Sequence, residues 1–221
     1  MDNGINQDNN KGVQDRLLDV AEKLFCEHGF KGTSIRDIAS SANCNVASVN
    51  YYFGSKDKLY LEVWRRHLIP MRDARIESIK KIMSGSRSNP NLEDLIRSFA
   101  STFVGTIVDA HNTSCLSNLM AREYIDRHLP SNIFVEDVIM PTMTAMSKAL
   151  SKTCPGIDES KIVLIVFSIV GQLVHMVHVK TLLEHGDNIP GEVKFESGDV
   201  IEHIVKFSTA GIQAYVKEKA E

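Results

Sequence analysis

Cysteine is scarce in this sequence of 221 residues, and closely spaced cysteines are missing altogether. The four copies contain no C-x-x-C pair and stand far apart, at Cys26, Cys44, Cys115 and Cys154. Zinc knuckles and disulfide frameworks rest on recurrent, closely spaced cysteines, so the sequence predicts neither. Free thiols fit a reducing compartment, and we expect a cytoplasmic protein.

We expect neither a secretory leader nor a membrane-spanning segment from this sequence. Residues 1–10, MDNGINQDNN, have neither a basic nor an apolar region, and we interpret them as a disordered tail rather than a signal peptide. The most apolar run, Ile162 to Val177, contains Gly171, Gln172 and His175 and is short for crossing a bilayer. It predicts a core helix, and no membrane partner is expected.

Catalytic patterns are absent as well. The sequence contains no G-x-S-x-G, H-E-x-x-H or G-x-G-x-x-G motif and no GxxxxGK phosphate loop. His175 and His178 lie one helical turn apart, which permits joint metal ligation, but no third ligand stands at a recognisable spacing. We therefore predict no catalytic residue, no cofactor and no metal site. Hydrogen-bonded core histidines or dimer-interface residues are the alternatives for this pair.

Strand-like alternation is missing, and apolar residues recur at helical spacing from Val13 onward. The pattern predicts an all-α fold whose first helix ends at Gly29, followed by short helices after Ser34 and from about Asn45 to Phe53. A longer helix begins at Lys56. Further helices are expected near residues 91–109, 113–128, 132–152, 159–185 and 198–219, and Pro141 should kink or split the third of these.

The second and third helices have the spacing of a helix-turn-helix. Ile38 and Val49 point to one side, and Ala39 is small where two helices must cross closely. Asn43 falls at the turn, where a residue that tolerates positive φ is needed. A small helical bundle can contain such a turn without binding DNA, so the flanking residues decide the interpretation.

Those flanks carry the side-chain chemistry of a DNA-reading helix. Short polar and small side chains on the third helix suit base edges, with Val46 and Ala47 placed to meet thymine methyl groups. Tyrosine hydroxyls and the positive end of the helix that begins at Lys56 suit phosphates. The predicted DNA-binding residues are Ser34, Arg36, Asn45, Val46, Ala47, Ser48, Asn50, Tyr51, Tyr52 and Lys56.

The net charge of this segment contributes little to the predicted DNA contacts. The formal net charge of the whole chain is −3, and the segment from Lys31 to Lys58 holds four basic and two acidic residues, a local excess of two positive charges. Phosphate contacts release counterions in proportion to their number, so a weakly basic site binds poorly on its own. Affinity for DNA must therefore come from the position of each contacting side chain and from the presence of two binding sites in a dimer.

The run from Gly29 to Leu59, GFKGTSIRDIASSANCNVASVNYYFGSKDKL, resembles the N-terminal domain of the TetR family of transcriptional regulators. That family pattern reads roughly G-x-x-x-[TS]-[TS]-x-x-x-I-A-x-x-A-G-V-x-x-x-x-[LI]-Y-x-H-F-x-x-K-x-x-L. Three positions depart from it: Asn43 stands for the usual Gly, Asn50 for a common aromatic residue and Tyr52 for the usual His. Asn is tolerated in the turn, and Tyr52 retains a phosphate donor.

The resemblance implies a helix-turn-helix DNA-binding domain over residues 11–56 and a larger helical domain over residues 57–221 that binds a ligand and dimerises. A seam of the helices over 159–185 and 198–219 from two subunits is the expected dimer interface. Bulky and polar residues suited to a ligand pocket are Phe103, Met120, Glu123, Met143 and His175. Any single Met or Phe at helical spacing is more often plain core, and Arg122 with Glu123 can simply pair with neighbouring helices.

Together these features predict a homodimeric, ligand-responsive transcriptional regulator that binds a double-stranded, palindromic DNA operator. We expect a repressor that a small-molecule inducer releases. Two alternatives stay open. A helical protein-interaction or ligand-binding module without DNA binding is compatible with the acidic net charge, and an enzyme would need a catalytic constellation that the sequence does not contain.

Overall fold

The computed structural model describes residues 3–85, 90–108, 113–130, 135–185 and 196–217. The described residues form helices and no strand, which confirms the all-α prediction. The helices are α1 (Asn3–Gly32), α2 (Ile35–Ser41), α3 (Val46–Phe53), α4 (Lys56–Gly85), α5 (Leu92–Val108), α6 (Thr113–Ile125), α7 (Met140–Thr153), α8 (Glu159–His185) and α9 (Ser197–Lys217).

Helix α1 differs from its predicted ends. Its backbone is helical from Asn3, so residues 3–10, predicted as a disordered tail, continue the helix because no proline interrupts them. Near the other end, Gly29 has φ 73° and ψ 177°, a conformation open essentially to glycine, which breaks the regular helix where the sequence predicted its end. A last turn to Gly32 follows the break.

The short helices begin where side chains cap them. Ser34 accepts a hydrogen bond from the Asp37 amide and Asp37 accepts one from the Ser34 amide, which together form the capping box of α2. Asn45 caps α3 by accepting from the Ser48 amide at 2.7 Å. Ser55 accepts from the Lys58 amide at 3.2 Å in the first turn of α4. These bonds satisfy amides that a helix leaves unpaired at its N-terminus.

The chain divides into two compact units that do not follow the predicted boundary at residues 56 and 57. Unit 1 comprises residues 1–70 and 110–134, and unit 2 comprises residues 71–109 and 135–221. Unit 1 therefore joins α1 to α3 with the first half of α4 and with α6. Side chains far apart in the sequence cause this, because α6 packs on α1. The functional boundary at residue 57 stays a prediction.

The core of unit 1 is aromatic and contains a disulfide that the sequence did not predict. Phe25 is fully buried, with its ring centroid 4.9 Å from that of Tyr60. Cys26 of α1 and Cys115 of α6 form a disulfide, with their Cα atoms 5.2 Å apart. The expectation of unpaired cysteines was wrong for this pair because 89 residues separate them and only the packing of α6 on α1 brings them together.

Unit 2 is a helical bundle around one large hydrophobic cluster. Helix α5 packs against α7, α8 and α9, and α8 packs against α7 and α9. A π-helical turn, Val135–Ile139, leads directly into α7, which has Pro141 in its first turn. Pro141 therefore splits the predicted helix as expected, since a proline lacks the amide that the helix interior requires. The predicted start of that helix, at residue 132, lies outside the described residues.

Helix α8 has two different sides. Its window Glu159–Val177, three residues longer than the run Ile162–Val177 judged from the sequence, is long and apolar enough to cross a membrane by length and composition, a test that core helices also pass. One side lies in the hydrophobic cluster of unit 2, as the core-helix prediction requires, through Ile162, Ile165, Val166, Ile169 and Leu173. Only 28% of the window is buried, and its other side carries exposed apolar residues.

Candidate nucleic-acid interface

The turn between α2 and α3 has the backbone of a helix-turn-helix. Asn43 has φ 52°, the positive value that the turn was predicted to need. The Cys44 amide donates to the Ala39 carbonyl at 2.8 Å, which closes the turn. Ile38 and Val49 are fully buried on the inner sides of the two helices, and Ala39 is 2% exposed. The inner side of α3 is thus fixed against unit 1, and its outer side is left to solvent.

The outer side of α3 carries the side chains predicted to contact bases. Ala47 and Asn50 are exposed, and Val46 is 40% exposed. An Asn amide can pair with the donor and acceptor edge of adenine, and small apolar groups suit the thymine methyl group. The exposed surface of this helix therefore offers both kinds of contact that direct base readout uses in the major groove.

Two of the predicted base-contacting residues have structural bonds as well. Asn45 is the N-cap of α3, and its Oδ1 atom accepts from both the amide and the hydroxyl of Ser48, at 2.7 and 2.9 Å. The Ser48 hydroxyl is half-buried and its proton is directed at Asn45. Both residues orient the first turn of α3, which the sequence had assigned only to base contact.

A phosphate-compatible rim lies at the end of α3 and the start of α4. The Tyr51 ring is 76% exposed and meets the ring of Tyr52 edge-on at a centroid distance of 5.1 Å. The Lys56 ammonium lies 4.2 Å from the centroid of the Phe30 ring. Partial burial lowers the pKa of Lys56, while Asp57 acts in the opposite direction. Phe30 therefore holds the Lys56 cation at the N-terminus of α4. The positive end of the helix dipole lies at the same place, so both favour a bound anion such as a phosphate.

At the opposite rim, the start of α2, the predicted phosphate-contacting Ser34 is engaged in hydrogen bonds within the protein. The Ser34 hydroxyl donates to the Asp37 carboxylate at 2.6 Å, and this bond and the one from the Ser34 amide lower the pKa of Asp37. The Ser34 side chain thus completes a cap, and its predicted phosphate contact remains a prediction. Arg36 is exposed on the first turn of the same helix.

The five predicted ligand residues are divided between the two units. Phe103 and Met143 belong to the hydrophobic cluster of unit 2, with 4% and 9% of their surface exposed. Met120 is 38% exposed on α6, in unit 1, and His175 is exposed on α8. The side chain of His178 lies outside the described residues, and no group of three metal-ligating side chains occurs in the part of the chain that the structure describes.

Glu123, the fifth of these residues, has its acceptors occupied within unit 1. Its carboxylate accepts from the Tyr60 hydroxyl at 3.1 Å and from the amides of His128 and Leu129 at 2.6 Å each. Burial is the largest cause of the raised pKa of Tyr60, and the Glu123 carboxylate raises it further. These bonds agree with the alternative that the sequence left open, in which Glu123 joins neighbouring helices.

Arg122 closes the end of α1. Its guanidinium donates to the Glu27 carbonyl at 3.1 Å, where the C-terminal dipole of α1 favours a cation. The same side chain lies 3.0 Å from the position that a Cβ atom on Gly29 would occupy. The positive φ of Gly29 favours glycine, and the neighbouring end of the Arg122 side chain is a contact that the sequence did not reveal because the two residues are remote.

Two family profiles match this chain in succession. Residues 17–63 match the profile described as bacterial regulatory proteins, tetR family, which covers the helix-turn-helix just described. Residues 92–212 match the C-terminal domain of the HTH-type transcriptional dual regulator CecR, and this second match spans more than half of the chain. The chain belongs to the TetR family of bacterial transcriptional regulators. The N-terminal resemblance is thereby confirmed.

Relatives of this TetR-family chain match it over part of their length. A probable HTH-type transcriptional regulator of Bacillus subtilis, YttP, is 30% identical over 111 residues, which is 50% of either protein. The negative transcriptional regulator IcaR of the biofilm operon icaADBC in Staphylococcus aureus is 44% identical over 48 residues, or 22% of this chain and 26% of IcaR. The matched part of this chain thus spans half or less of these relatives.

Solved structures share the fold over nearly the whole chain. A TetR-like transcriptional regulator from Rhodococcus aligns over 91% of this chain and 96% of its own, with a TM-score of 0.61 and 17% identity. A regulator of the TerR/AcrR family from Aquifex aeolicus aligns over 90% and 98%, with a TM-score of 0.57 and 21% identity. At these identities the likeness concerns the fold alone.

Proposed function

We propose that this TetR-family chain is a homodimeric DNA-binding repressor that reads a palindromic operator with α3. The observation that carries the proposal is the division of α3 into two sides. Val49 is fully buried, while the neighbouring Ala47 and Asn50 are exposed and Tyr51 extends into solvent. A helix fixed on one side and carrying small and amide side chains on the other suits insertion into a major groove. IcaR, a relative over this segment, is named a negative regulator, which supports repression.

Paired substitutions test the proposed contacts. Lys56→Ala should weaken binding to operator and random DNA alike and flatten the salt dependence by about one unit of slope, because it removes one phosphate contact. Asn50→Ala should relax the preference at one base pair by roughly 1–3 kcal/mol and leave the salt slope unchanged. Fluorescence anisotropy at several salt concentrations measures both quantities.

The two variants control for one another. Both side chains lie outside the fully buried core of unit 1, so thermal unfolding should move little in either case. Equal losses on operator and random DNA for Asn50→Ala would remove Asn50 from direct readout. A sequence-dependent loss for Lys56→Ala would contradict its assignment to a phosphate.

The dimer part of the proposal rests on the exposed sides of α8 and α9. Leu164, Phe167 and Val174 are 65%, 53% and 51% exposed along α8, and Phe207 is 64% exposed on α9. A Cβ atom on Gly171 would meet nothing within 4 Å, so another helix can approach closely there. Large apolar side chains in a stripe mark an interaction surface. A second copy that presents the same stripe forms the isologous four-helix seam predicted from the sequence.

Induction is the least direct part of the proposal. A small molecule that enters the helical bundle of unit 2 beside Phe103 and Met143 can weaken operator binding only if it binds the two states of the dimer unequally. Helix α4 is the proposed lever, because its N-terminus carries Lys56 at the DNA rim while its residues beyond Pro70 belong to unit 2. The roles of Met120, Glu123 and His175 as ligand residues stay predictions.

Two competing functions give different results in one binding assay. A protein-interaction module without DNA binding should shift no duplex at low or moderate salt, whereas the proposed regulator should shift random DNA weakly at low salt and an operator at both. An enzyme would need a catalytic group, which neither the sequence patterns nor the α3 surface supports. We also propose a cytoplasmic location, where DNA is accessible and the Cys26–Cys115 pair would be open to reduction.

A further inference from the structure

Arg75 is a buried cation without a polar partner in the described part of the chain. It lies on α4 in unit 2, with 8% of its surface exposed, and its Nε atom has no hydrogen-bond partner. No carboxylate lies within ion-pair distance of its guanidinium among the described residues. The bond that involves Arg75 is made by its backbone carbonyl, which accepts from the Ser78 hydroxyl.

The neighbouring arginine shows what is unusual about Arg75. Arg72, one turn earlier on α4, donates to the Asp73 carboxylate and to the Asp137 carbonyl, both at 2.8 Å. Asp73 and Glu77 each stand two residues from Arg75 along the helix, and Asp73 is bound to the Arg72 guanidinium. The sequence MRDARIES gives no sign of this difference, because both arginines stand at helical spacing in a charged segment.

An aromatic ring is the contact that Arg75 does make. Its guanidinium carbon lies 3.8 Å from the centroid of the Phe103 ring, which in turn lies 6.0 Å from the ring of Phe99. The attraction between a cation and an aromatic face offsets part of the free energy that the cation loses when it is removed from water. Burial lowers the pKa of Arg75 to about 10, so the group still carries its charge at neutral pH. One face of the guanidinium is covered by the ring, and the buried Nε–H donor remains without a hydrogen-bond partner.

We propose that Arg75 binds the carboxylate of a small apolar acid whose hydrocarbon body packs along Phe103 and the hydrophobic cluster of unit 2. The planar guanidinium matches a carboxylate in a bidentate pair, and burial away from water strengthens that pair. Phe99, Met143 and Met146 belong to the same cluster as Phe103 and supply adaptable apolar surface. The inference rests on the proposed ligand-binding role of this part of the chain and names the chemical class of its ligand.

Thermal unfolding of the full-length protein with a panel of acids and their neutral analogues tests the proposal. The probes are sodium decanoate and sodium 4-phenylbutyrate, each compared with its primary amide at the same millimolar concentration, together with decyl phosphate. Binding to the folded state stabilises it by RT ln(1 + [L]/Kd), so the melting temperature rises with the concentration of free ligand. We expect both carboxylates to raise it in a dose-dependent way and both amides to leave it unchanged.

Variants of the two arginines separate a specific pair from general charge effects. Arg75→Met should remove the response to decanoate and should melt no lower than the unmodified protein without ligand, because it replaces an unpaired buried cation by an apolar chain of similar length. Arg75→Lys should keep the preference for acid over amide with roughly tenfold weaker binding, because a lysine retains the charge and loses the fork. Arg72→Met is the matched control and should retain the decanoate response.

Each remaining outcome overturns the proposal. Equal stabilisation by acid and amide, an undiminished decanoate response in Arg75→Met, or no response to either carboxylate would show that Arg75 holds no such ligand. Stabilisation by decyl phosphate alone would assign the site to a phosphate instead. The measurements use no DNA, so a chain that binds carboxylates but shifts no duplex would fail the proposed function and leave the carboxylate site standing.

Discussion

Val49→Asp is expected to abolish DNA binding by unfolding the helix-turn-helix. Val49 is fully buried on the inner side of α3, opposite the helix face proposed to read bases. A carboxylate at this position would have no ion-pair partner in an apolar core, which costs about 3–5 kcal/mol. That loss is a large part of the stability of an ordinary domain. Near-ultraviolet circular dichroism, limited proteolysis within residues 33–56 and anisotropy with labelled DNA should all report the change.

The adjacent residue provides the matched control. Asn50→Asp introduces the same side chain one position later, on the exposed side of α3. Thermal unfolding should then stay close to that of the unmodified protein, because an exposed substitution has little effect on packing. DNA binding should still weaken on every sequence, since the new charge meets phosphates and base acceptors. Normal folding and binding in Val49→Asp would contradict the assignment of inner and outer sides.

Phe167→Glu is expected to convert the proposed dimer into a monomer and to remove operator binding with it. Phe167 is 53% exposed in the middle of the apolar stripe of α8. In a two-fold interface every substitution occurs twice, so two carboxylates would meet in a surface that excludes water. Sedimentation should give roughly twice 24.7 kDa for the unmodified protein and about 24.7 kDa for the variant.

The control for this variant keeps the charge and moves it away from the stripe. Thr144 is exposed on α7, so Thr144→Glu should leave both the mass and the operator affinity unchanged. Helical circular dichroism should be the same for all three proteins, which separates dissociation from unfolding. A dimeric Phe167→Glu would place the interface elsewhere, and a monomeric unmodified protein would remove the dimer from the account.

Local signals in the sequence predicted most of the helix-turn-helix. Ser34 marks the start of α2 and Asn43 the positive φ of the turn, and the structure contains both. Such features depend on neighbours along the chain, so a single sequence can reveal them. The helix assignments of unit 2 were accurate for the same reason, since apolar periodicity is a local property.

Features that depend on remote contacts were missed. The Cys26–Cys115 disulfide, the cap that Arg122 forms on α1 and the bonds of Glu123 to Tyr60 all arise from the packing of α6 in unit 1. Nothing near these residues in the sequence marks their partners. The predicted ligand residues stay a prediction, because helical spacing places a side chain on a face of its helix but does not say which unit that face meets.

The burial of Arg75 is another feature that the sequence could not predict. Its sequence neighbourhood is that of a solvated, charged helix, and only the tertiary structure buries it over Phe103. Burying a charge without a polar partner costs free energy. The buried position of Arg75 therefore points to a ligand, which its residue type in the sequence does not. The base-contacting residues, by contrast, could be proposed from the sequence because exposure and chemistry on a short helix follow from its register.

Selection of binding sites from random duplex DNA, followed by footprinting of the selected site, tests whether two copies of α3 read a palindromic operator. We expect an enriched inverted repeat whose two half-sites are centred about 10 base pairs apart, roughly 34–36 Å, so that two copies of α3 enter successive major grooves. Protection should cover both half-sites at the same protein concentration. Enrichment of an unpaired half-site, or of no sequence at any salt concentration, would contradict it.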